Sequence, residues 1–466
     1  MDDRLQDRAL GAYWGLALGD ALGATVEFMT AEEIRDTHGR HRHLCGGGWL
    51  HLAPGQVTDD TEMSLVLGQA LLMDDVWSVR RFAEGMAAWL RAGPVDVGNT
   101  CRRGIRRFIV DGSLSAPPGT WDAGNGACVR MLPVVLATLE HPGLGCTMGL
   151  EQAHFTHNHP MSDLGILCLG EMLRSALRGE SLASIRTQAE RLQTACPEFD
   201  CTVLPVSPTP YIVDTVRTVL HAVLNTGNFY DCLLLVVNQG GDADSTGALA
   251  GMLAGAIYGR EGLPEQWLRR LVPGVKERIR EQTGALLRWG ERQRGLAAPG
   301  DSSAPGLLFY EKPGCRTNAG QRARLHAAGF GLDVQNLLQT PWTVETLRPF
   351  FGKRPVPEWF NPNSPRIKSR EVDPAVLDEK MAISAMLEDP LLIRRPLISL
   401  GALKTSGFTP DVVAFWTLVQ PKRYGRSLGA VSDTCQQLPL QSTGLPGAGL
   451  GFTAADAASP AGPNCP

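Results

Sequence analysis

Two short acidic clusters, far apart in the chain, contain the side chains best suited to chemistry. In each cluster two carboxylates lie beside a hydroxyl; the residues are Thr58, Asp59 and Asp60 in the first cluster and Asp242, Asp244 and Ser245 in the second. Helix N-termini favour such residues, so capping alone would explain either cluster taken by itself. Capping needs only one oxygen acceptor, however, and the surplus carboxylates would repel one another unless cations lay between them. The two clusters together therefore predict a metal site.

The chemistry of these ligands narrows the choice of metal. Carboxylate and hydroxyl oxygens, without a cysteine or an evident histidine partner, favour Mg²⁺ or Mn²⁺ over zinc. Pairs of such ions about 3.5–4 Å apart recur in hydrolytic enzymes, where they activate a water molecule. The clusters therefore predict two divalent metal ions, Mn²⁺ or Mg²⁺, and a metal-activated water as the nucleophile of a hydrolase.

Helices are the elements that must position both clusters. Apolar residues recur at helical spacing after each cluster, at Met63, Val66, Leu67, Ala70 and Leu71 and again at Leu249, Met252, Leu253, Ala256 and Ile257. This spacing predicts that one helix begins close to Thr58 and another close to Asp242. The preceding pair Gly240-Gly241 allows the backbone to come close there. Two helix N-termini would thus present the acidic clusters.

The chain divides by composition into two unlike parts. Residues 1–297 are rich in Ala, Leu and Gly with helical periodicity, which predicts an all-α domain. The segment 298–305 has the Ala, Gly, Ser and Pro content of a linker. Residues 306–410 alternate predicted strands, at 307–310 and 334–338, with predicted helices, at 321–328 and after Thr343, so a small α/β domain is expected. The remainder, 411–466, is rich in Gly, Ala and Pro and predicts a disordered tail.

Composition excludes several classes of protein. Lys and Arg total 44 against 48 Asp and Glu, a net charge of −4, so no basic excess favours binding to nucleic acid. The eleven cysteines show no repeated CxxC spacing, which is typical of reduced thiols. The charged start MDDRLQDRAL and the lack of an apolar run of about 18 residues predict neither a signal peptide nor an integral membrane segment. We expect a cytoplasmic protein.

Four segments of the helical part resemble the ADP-ribosylglycohydrolase family, namely GLALGDALGATVEF, GQVTDDTEMSLVLGQAL, GNGACVRMLP and VNQGGDADSTGALAG. Paired acidic motifs in a fixed order are more specific than any single short motif. The resemblance covers about residues 5–295 and implies an all-α hydrolase whose two clusters bind the metals, with Glu27 on a mobile loop beside them. Ser245 stands where the family usually has Thr, so the hydroxyl is kept and a stiffening methyl is lost.

The resemblance also assigns roles to residues outside the clusters. It implies that Asp96 accepts two parallel hydrogen bonds from the substrate guanidinium. The residues implied in substrate binding are Asp96, Asn99, Gly124, Asn125, Gly126, His157 and Tyr211, and those implied in catalysis are Glu27, Asp59, Asp60, Asp96 and Asp244. Without the family, Asp96 is an ordinary loop residue, Gly124 begins a turn and Tyr211 is a partly buried helix residue.

The second part of the chain contains a candidate thiol site. Cys315 precedes a predicted helix, with Lys312 and Arg316 nearby, and such surroundings favour the thiolate. Asn318 stands where a CxxC dithiol needs its second cysteine, which excludes disulfide exchange within one motif. This part resembles the arsenate reductase-like branch of the thioredoxin fold, especially its nitrogenase-associated members, and the resemblance implies that Arg395 lies near the cysteine. A single-thiol reaction and a binding platform both stay open, with arsenate reduction less favoured.

These observations predict an enzyme that removes ADP-ribose from an arginine side chain of a modified protein. Both parts resemble proteins of nitrogen fixation. The resemblance therefore implies ADP-ribosylated dinitrogenase reductase as the protein substrate, and a PII-type regulatory protein is a further candidate partner. Two alternatives stay open, a hydrolase acting on another ADP-ribosylated substrate and a non-catalytic module that binds ADP-ribose or a partner protein.

Overall fold

The regular elements up to residue 294 are helices, as predicted for the first part. A computed structural model of the chain describes residues 2–119, 122–294 and 306–419. The α-helices of the first part are α1 Asp3–Gly23, α2 Ala31–His38, α3 Asp59–Met73, α4 Val79–Arg91, α5 Asn99–Asp111, α6 Gly126–Val129, α7 Leu132–Ala137, α8 Pro142–His154, α9 Pro160–Leu177, α10 Leu182–Ala195, α11 Ile212–Asn225, α12 Phe229–Val237, α13 Ala243–Tyr258, α14 Glu265–Arg270 and α15 Pro273–Arg294. Within the described residues no helix is long and apolar enough to cross a membrane. The predicted linker 298–305 lies outside the described residues.

Glycines let α1 and α13 pack with their backbones in contact, an arrangement called here the glycine seam. Its members recur every four residues on both helices, at Gly11, Gly15, Gly19 and Gly23 and at Gly247, Gly251 and Gly255. A Cβ atom added at Gly15 would lie 2.2 Å from the carbonyl oxygen of Gly251, and one at Gly19 would lie 1.9 Å from that of Gly247. Any side chain larger than hydrogen would therefore force the two helices apart.

The glycine seam places the end of α1 beside the start of α13. The helices run antiparallel, since Gly11 faces Gly255 while Gly19 faces Gly247. Buried polar groups attach two further helices to α1. Tyr13 donates its hydroxyl to Oε1 of Gln282 on α15 at 2.6 Å, and Nε2 of Gln282 donates to the carbonyl oxygen of Leu65 on α3 at 2.9 Å. The starts of α3 and α13 are thus held near the end of α1.

From residue 306 the chain forms a four-stranded sheet and further helices. The strands are β1 Gly306–Glu311, β2 Gly331–Asn336, β3 Leu397–Leu400 and β4 Leu403–Ser406, and the α-helices are α16 Arg316–Ala327, α17 Val344–Leu347, α18 Pro365–Lys368, α19 Glu379–Glu388 and α20 Pro410–Leu418. The strand order is β2-β1-β3-β4, with β1 parallel to β2 and antiparallel to β3, and β3 antiparallel to β4. The strands predicted at 307–310 and 334–338 overlap β1 and β2. The strands β3 and β4 were not predicted, because four residues are too few for an alternating pattern to show.

The helix α20 corrects the predicted boundary of the C-terminal tail. The prediction that disorder begins at residue 411 is wrong for residues 411–418, which belong to this helix. Val412 and Trp416 are buried there, and α20 packs against α10 of the first part. The prediction averaged composition over the whole segment, so the Gly and Pro content of the later residues outweighed the apolar sequence DVVAFW at its start. The rest of the predicted tail, from residue 420, lies outside the described residues.

Polar contacts also join the two parts of the chain. In the turn between β3 and β4, the backbone N–H of Ala402 donates to Oδ2 of Asp163 on α9 at 2.8 Å. Asp163 is fully buried and pairs with Nε2 of His154 at 2.9 Å. On the surface, Lys353 and Glu198 form an ion pair at 2.7 Å. The C-terminal part is therefore docked on the helical part through α9 and α10.

Candidate active site

Buried carboxylates from three helices and two loops meet at one place, called here the acidic site. They are Asp20 of α1, Glu27 in the loop after α1, Asp59 and Asp60 at the start of α3, Asp242 directly before α13, and Asp244 in its first turn. Oxygens of Glu27, Asp242 and Asp244 lie within 4.8 Å of one another, a group that could hold a metal ion. Repulsion between Asp60 and Asp244 links the first cluster to the second. The two clusters, distant in sequence, are brought together by the fold.

Asp20 belongs to the acidic site and was not predicted from the sequence. Its carboxylate accepts the backbone N–H of Thr58 at 3.0 Å, the backbone N–H of Thr61 at 3.1 Å and the hydroxyl of Thr61 at 2.5 Å. These bonds fix the first turn of α3 to α1. The only signal in the sequence is one charged residue in the otherwise apolar stretch GLALGDALG, where a buried carboxylate needs partners.

Side chains of the first cluster are not used for helix capping. Thr58 is the N-cap residue of α3, yet its hydroxyl makes no capping hydrogen bond. Oγ1 of Thr58 and Oδ2 of Asp60 are both buried without a partner among the described residues. Asp59 accepts the backbone N–H of Gly98 at 3.0 Å. Buried oxygens without partners are costly, so their presence needs an explanation such as a bound ion.

The second cluster is connected to the loop that carries Glu27. Gly240 and Gly241 both have positive φ angles, of 69° and 63°, which glycine adopts at little cost. Gly241 accepts the backbone N–H of Phe28 at 2.7 Å. Beyond the loop, Nε1 of Trp49 donates to Oε2 of Glu27 at 2.7 Å. Glu27 is thereby held against the start of α13.

Burial raises the pKa of the carboxyl groups in the acidic site, because the charged form loses its hydration. The pKa rises to about 6 for Asp20 and Asp242, to about 7 for Asp59 and to about 8 for Glu27. For Asp59 the charge of Asp96 adds to the effect of burial. Part of the site would therefore be protonated at neutral pH unless a cation compensated the charge.

The residues of the acidic site fit a divalent metal ion. The pKa values of Asp60 and Asp244 lie well above the usual range, since repulsion from neighbouring carboxylates adds to burial. No Lys or Arg in the described part of the chain forms an ion pair with either group. The unpartnered oxygens of Thr58 and Asp60 are hard donors of the kind that Mg²⁺ and Mn²⁺ prefer. A cation would supply both the missing charge and the missing partners.

Asn125 connects the predicted substrate residues to the acidic site. Its Nδ2 donates to Oδ2 of Asp242 at 2.5 Å and to Oγ1 of Thr215 at 2.9 Å. The neighbouring Gly124 forms an isolated β-bridge with Tyr211. The side chain of Tyr211 is 41% exposed and so is available at the edge of this loop.

Asp96 and Asn99 lie in the same segment but differ in their relation to the acidic site. Asp96 is partly buried, and its charge raises the pKa of Glu27, Asp59 and Asp242, so it lies within electrostatic reach of all three. Asn99 is exposed at the start of α5, and no hydrogen bond joins its side chain to the acidic site within the described residues.

His157 lies behind the glycine-containing loop 124–126. It is buried, and a Cβ atom added at Gly124 would lie 2.9 Å from its Nε2. A Cβ atom added at Gly126 would lie 3.4 Å from Cε1 of the same ring. The approach of the imidazole therefore requires glycine at position 124, whereas a Cβ atom at position 126 would make only an ordinary contact with the ring.

The residues predicted to form a thiol site in the C-terminal part are not joined by hydrogen bonds as those of the acidic site are. Cys315 is the N-cap residue of α16, is partly exposed and makes no capping hydrogen bond through its side chain. Arg395 precedes a cis proline, and its Nη1 is buried without a hydrogen-bond partner among the described residues. In this part of the structure no hydrogen bond joins Cys315 to Arg395, so the thiol site stays a prediction.

Comparison with known proteins identifies the class of enzyme. The ADP-ribosylglycohydrolase family matches residues 1–295, more than half of the chain. The chain therefore belongs to the ADP-ribosylglycohydrolase family and is a hydrolase. A solved structure described as an ADP-ribosylglycohydrolase-related protein complex aligns with a TM-score of 0.56 and 32% identity, and covers 62% of this chain and all of that chain.

Two relatives from Rhodospirillum rubrum match the chain closely. The ADP-ribosyl-[dinitrogen reductase] glycohydrolase of that organism is 52% identical over 283 residues, which is 61% of this chain and 96% of the relative. An uncharacterized 15.7 kDa protein in the draG 3' region is 51% identical over 110 residues, which is 24% of this chain and 77% of the relative.

Proposed function

We propose that the chain hydrolyses the N-glycosidic bond between ADP-ribose and an arginine of a modified protein, and that this protein is dinitrogenase reductase. The observation that carries the proposal is the convergence of both acidic clusters in one buried site, where Oγ1 of Thr58 and Oδ2 of Asp60 have no hydrogen-bond partner in the described part of the chain. The similarity to the Rhodospirillum rubrum glycohydrolase supports the choice of substrate.

Two divalent ions, Mn²⁺ or Mg²⁺, are proposed as cofactors. Their ligands would be Thr58, Asp59, Asp60, Asp242, Asp244 and Ser245, with Glu27 beside them. Such ions, when bound, supply Lewis acidity toward sugar oxygens and water. The protein contributes fixed ligand positions, since Asp20 holds the first turn of α3 and Asn125 holds Asp242. Fixed ligands need no rearrangement when substrate binds.

Substrate binding is proposed to involve the loops that surround the acidic site. Asp96 would accept hydrogen bonds from the arginine guanidinium, since its carboxylate lies within electrostatic reach of the metal ligands. The loop 124–126, together with His157, would contact the phosphates or ribose of ADP-ribose. Tyr211, whose ring is 41% exposed, would cover the adenine or its ribose.

For the C-terminal part we propose a thioredoxin-like fold of the arsenate reductase-like branch, serving as a binding platform. The parallel pair β1 and β2, connected through α16, and the antiparallel strands β3 and β4 support this proposal. A cytoplasmic location fits the free thiols found among the described cysteines. A PII-type protein remains a proposed regulatory partner.

The decisive experiment measures release of ADP-ribose from a protein ADP-ribosylated on arginine, with Mn²⁺ or with a chelator. Wild type should release ADP-ribose only with metal, and Asp244→Ala should reduce the rate at least about a hundredfold because a metal ligand is lost. Asp36→Ala, which removes an exposed carboxylate of α2, is the matched control and should keep the wild-type rate.

The same experiment separates the alternatives. If ADP-ribose were released from a peptide modified on serine but not from one modified on arginine, the chain would still be a hydrolase, and only the proposed substrate would be wrong. Binding of ADP-ribose without release from any substrate under any metal would overturn the proposal in favour of a non-catalytic module.

A further inference from the structure

Arg130 is fully buried, and each of its five N–H groups has a neutral acceptor. Nε donates to Oε1 of Gln152 at 2.8 Å, while Nη2 donates to the carbonyl oxygen of Gln152 and to Oγ1 of Thr156, both at 2.8 Å. Nη1 faces Sγ of Cys101 at 3.5 Å and the carbonyl oxygen of Gly126 at 3.4 Å. A buried guanidinium without a carboxylate partner is costly. Its presence here without a carboxylate partner among the described residues therefore needs an explanation beyond packing.

Gln152 fixes the orientation of this network. Its Nε2 donates to the carbonyl oxygens of Ala127 and Gly149, at 2.9 and 3.1 Å. Since carbonyl oxygens cannot donate, the amide nitrogen must face them, and Oε1 must face Arg130. Every N–H group of Arg130 and of the Gln152 amide therefore has an acceptor. The hydrogen bond between Arg130 and Thr156 can run only from the guanidinium to the hydroxyl oxygen.

The direction of the network determines where the proton of His157 lies. Thr156 Oγ1 accepts from Arg130, which has no acceptor, so the single hydroxyl proton of Thr156 must go elsewhere. Nδ1 of His157 lies 2.7 Å from the same oxygen. If Nδ1 carried a proton, the buried hydroxyl would have no acceptor among the described residues. The hydroxyl therefore donates to Nδ1, and in the neutral ring the proton is on Nε2.

We propose that Arg130 and Thr156 are positioning residues that keep His157 as its Nε2–H tautomer, so that the imidazole donates a hydrogen bond to an oxygen of the bound ADP-ribosyl group. This rests on the proposed function of the acidic site. Nε2 faces the loop 124–126, whose Asn125 contacts Asp242. No hydrogen bond occupies Nε2 among the described residues, which leaves its N–H open to an oxygen of the substrate.

The charge state of His157 agrees with this assignment. Burial lowers the pKa of His157 well below its usual range, and the positive charges of Arg130 and Arg103 lower it further. A neutral ring carries one proton, and the tautomer then decides whether it can donate toward the substrate. Arg130 thus acts on His157 twice, through charge and through the hydroxyl of Thr156.

The first test is NMR of protein labelled with ¹⁵N in histidine, because protonated and unprotonated ring nitrogens resonate far apart. His157→Gln identifies the signals. In wild type without substrate, Nδ1 of His157 should be unprotonated and Nε2 protonated. A proton on Nδ1 would overturn the proposal. This measurement needs no turnover, so it stands even if wild type releases no ADP-ribose, an outcome that would contradict only the proposed function.

The second test compares three threonine variants. Thr156→Val removes the hydroxyl, so the tautomer should become mixed and KM for ADP-ribosylarginine should rise about tenfold, with kcat changed less. Thr156→Ser should restore both. Thr283→Val is the matched control, since Thr283 is equally buried and donates only within its own helix. If Thr156→Val kept the tautomer, or changed KM no more than Thr283→Val, the positioning role would be refuted. If Thr156→Val fails to fold, the proposal is decided by the spectra of wild type and Thr156→Ser, both of which should show an unprotonated Nδ1 on His157.

Discussion

The acidic site and the thiol region around Cys315 differ in how far the fold has prepared them. In the acidic site, carboxylates from distant segments are buried together and held by donors from Thr58, Gly98 and Asn125. Cys315 is partly exposed at a helix start, with no hydrogen bond to Arg395 in the described structure. Burial raises the free energy of the ionised, unliganded acidic site, and a bound cation or protonation of the carboxylates offsets that cost. Residue types alone therefore do not identify a functional site. The burial and the hydrogen bonds that surround those residues do.

The largest expected effect comes from disturbing the glycine seam, which positions the acidic site and has no counterpart in the placing of Cys315. In Gly251→Ala the new Cβ would lie 2.0 Å from the carbonyl oxygen of Gly15, so the glycine seam must open. We expect a loss of roughly 3 kcal/mol in the free energy of unfolding, typical of severe overpacking, together with loss of metal binding. Denaturant unfolding and Mn²⁺ titration measure these effects.

Gly227→Ala is the control for the seam, because a Cβ atom there would meet nothing within 4 Å. It should leave unfolding and metal binding near wild type. Equal effects of the two substitutions would show that the close approach of α1 and α13 is not what positions the acidic site.

The next effect concerns pH and metal. The folded-state pKa of Asp59 and Glu27 is raised, to about 7 and about 8. Their protonated forms therefore stabilise the metal-free fold at low pH, and this contribution is lost as pH rises through those values. In chelator, the Tm should fall between about pH 4, near the ordinary pKa of these carboxyls, and about pH 8. Mn²⁺ at a hundredfold excess over its Kd should add about 2.7 kcal/mol at the higher pH.

Thermal unfolding with and without Mn²⁺ across that pH range measures this linkage. An equal Tm in chelator at both ends, with no gain from Mn²⁺, would mean that the acidic carboxylates are not compensated by a metal ion. No metal site is proposed at the thiol region, so this region should contribute nothing to the difference between the two conditions.

The smallest effect is expected at the thiol region. Cys315→Ser should change the rate of ADP-ribose release by less than about twofold, because a partly exposed side chain outside the acidic site is altered. Cys45→Ser, at an exposed cysteine, is the control. A loss approaching that of Asp244→Ala would instead place Cys315 in the hydrolytic reaction and remove the contrast between the two regions.

Local patterns predicted the helices, while long-range packing determined the site. The apolar spacing after Thr58 and after Asp242 correctly predicted where α3 and α13 begin. That these helix starts meet could not be read from spacing, because it depends on the glycine seam. The resemblance to the ADP-ribosylglycohydrolase family, and not the spacing, predicted that the two clusters form one site. Asp20 was missed because a lone carboxylate in an apolar helix has no pattern, and its role appears only when Thr61 is brought beside it.

The contact between Ala402 and Asp163 has a consequence for how the two parts associate. Residues 295–305 join them covalently, so docking is an intramolecular event, and short connections give effective concentrations on the order of millimolar. The two parts of the chain can then stay associated even where the affinity of their interface is modest. The exposed pair of Lys353 and Glu198 adds little to it. Proteolytic cleavage between the two parts would replace that local concentration by the bulk value, so the buried apolar contacts between them would alone have to keep the parts together.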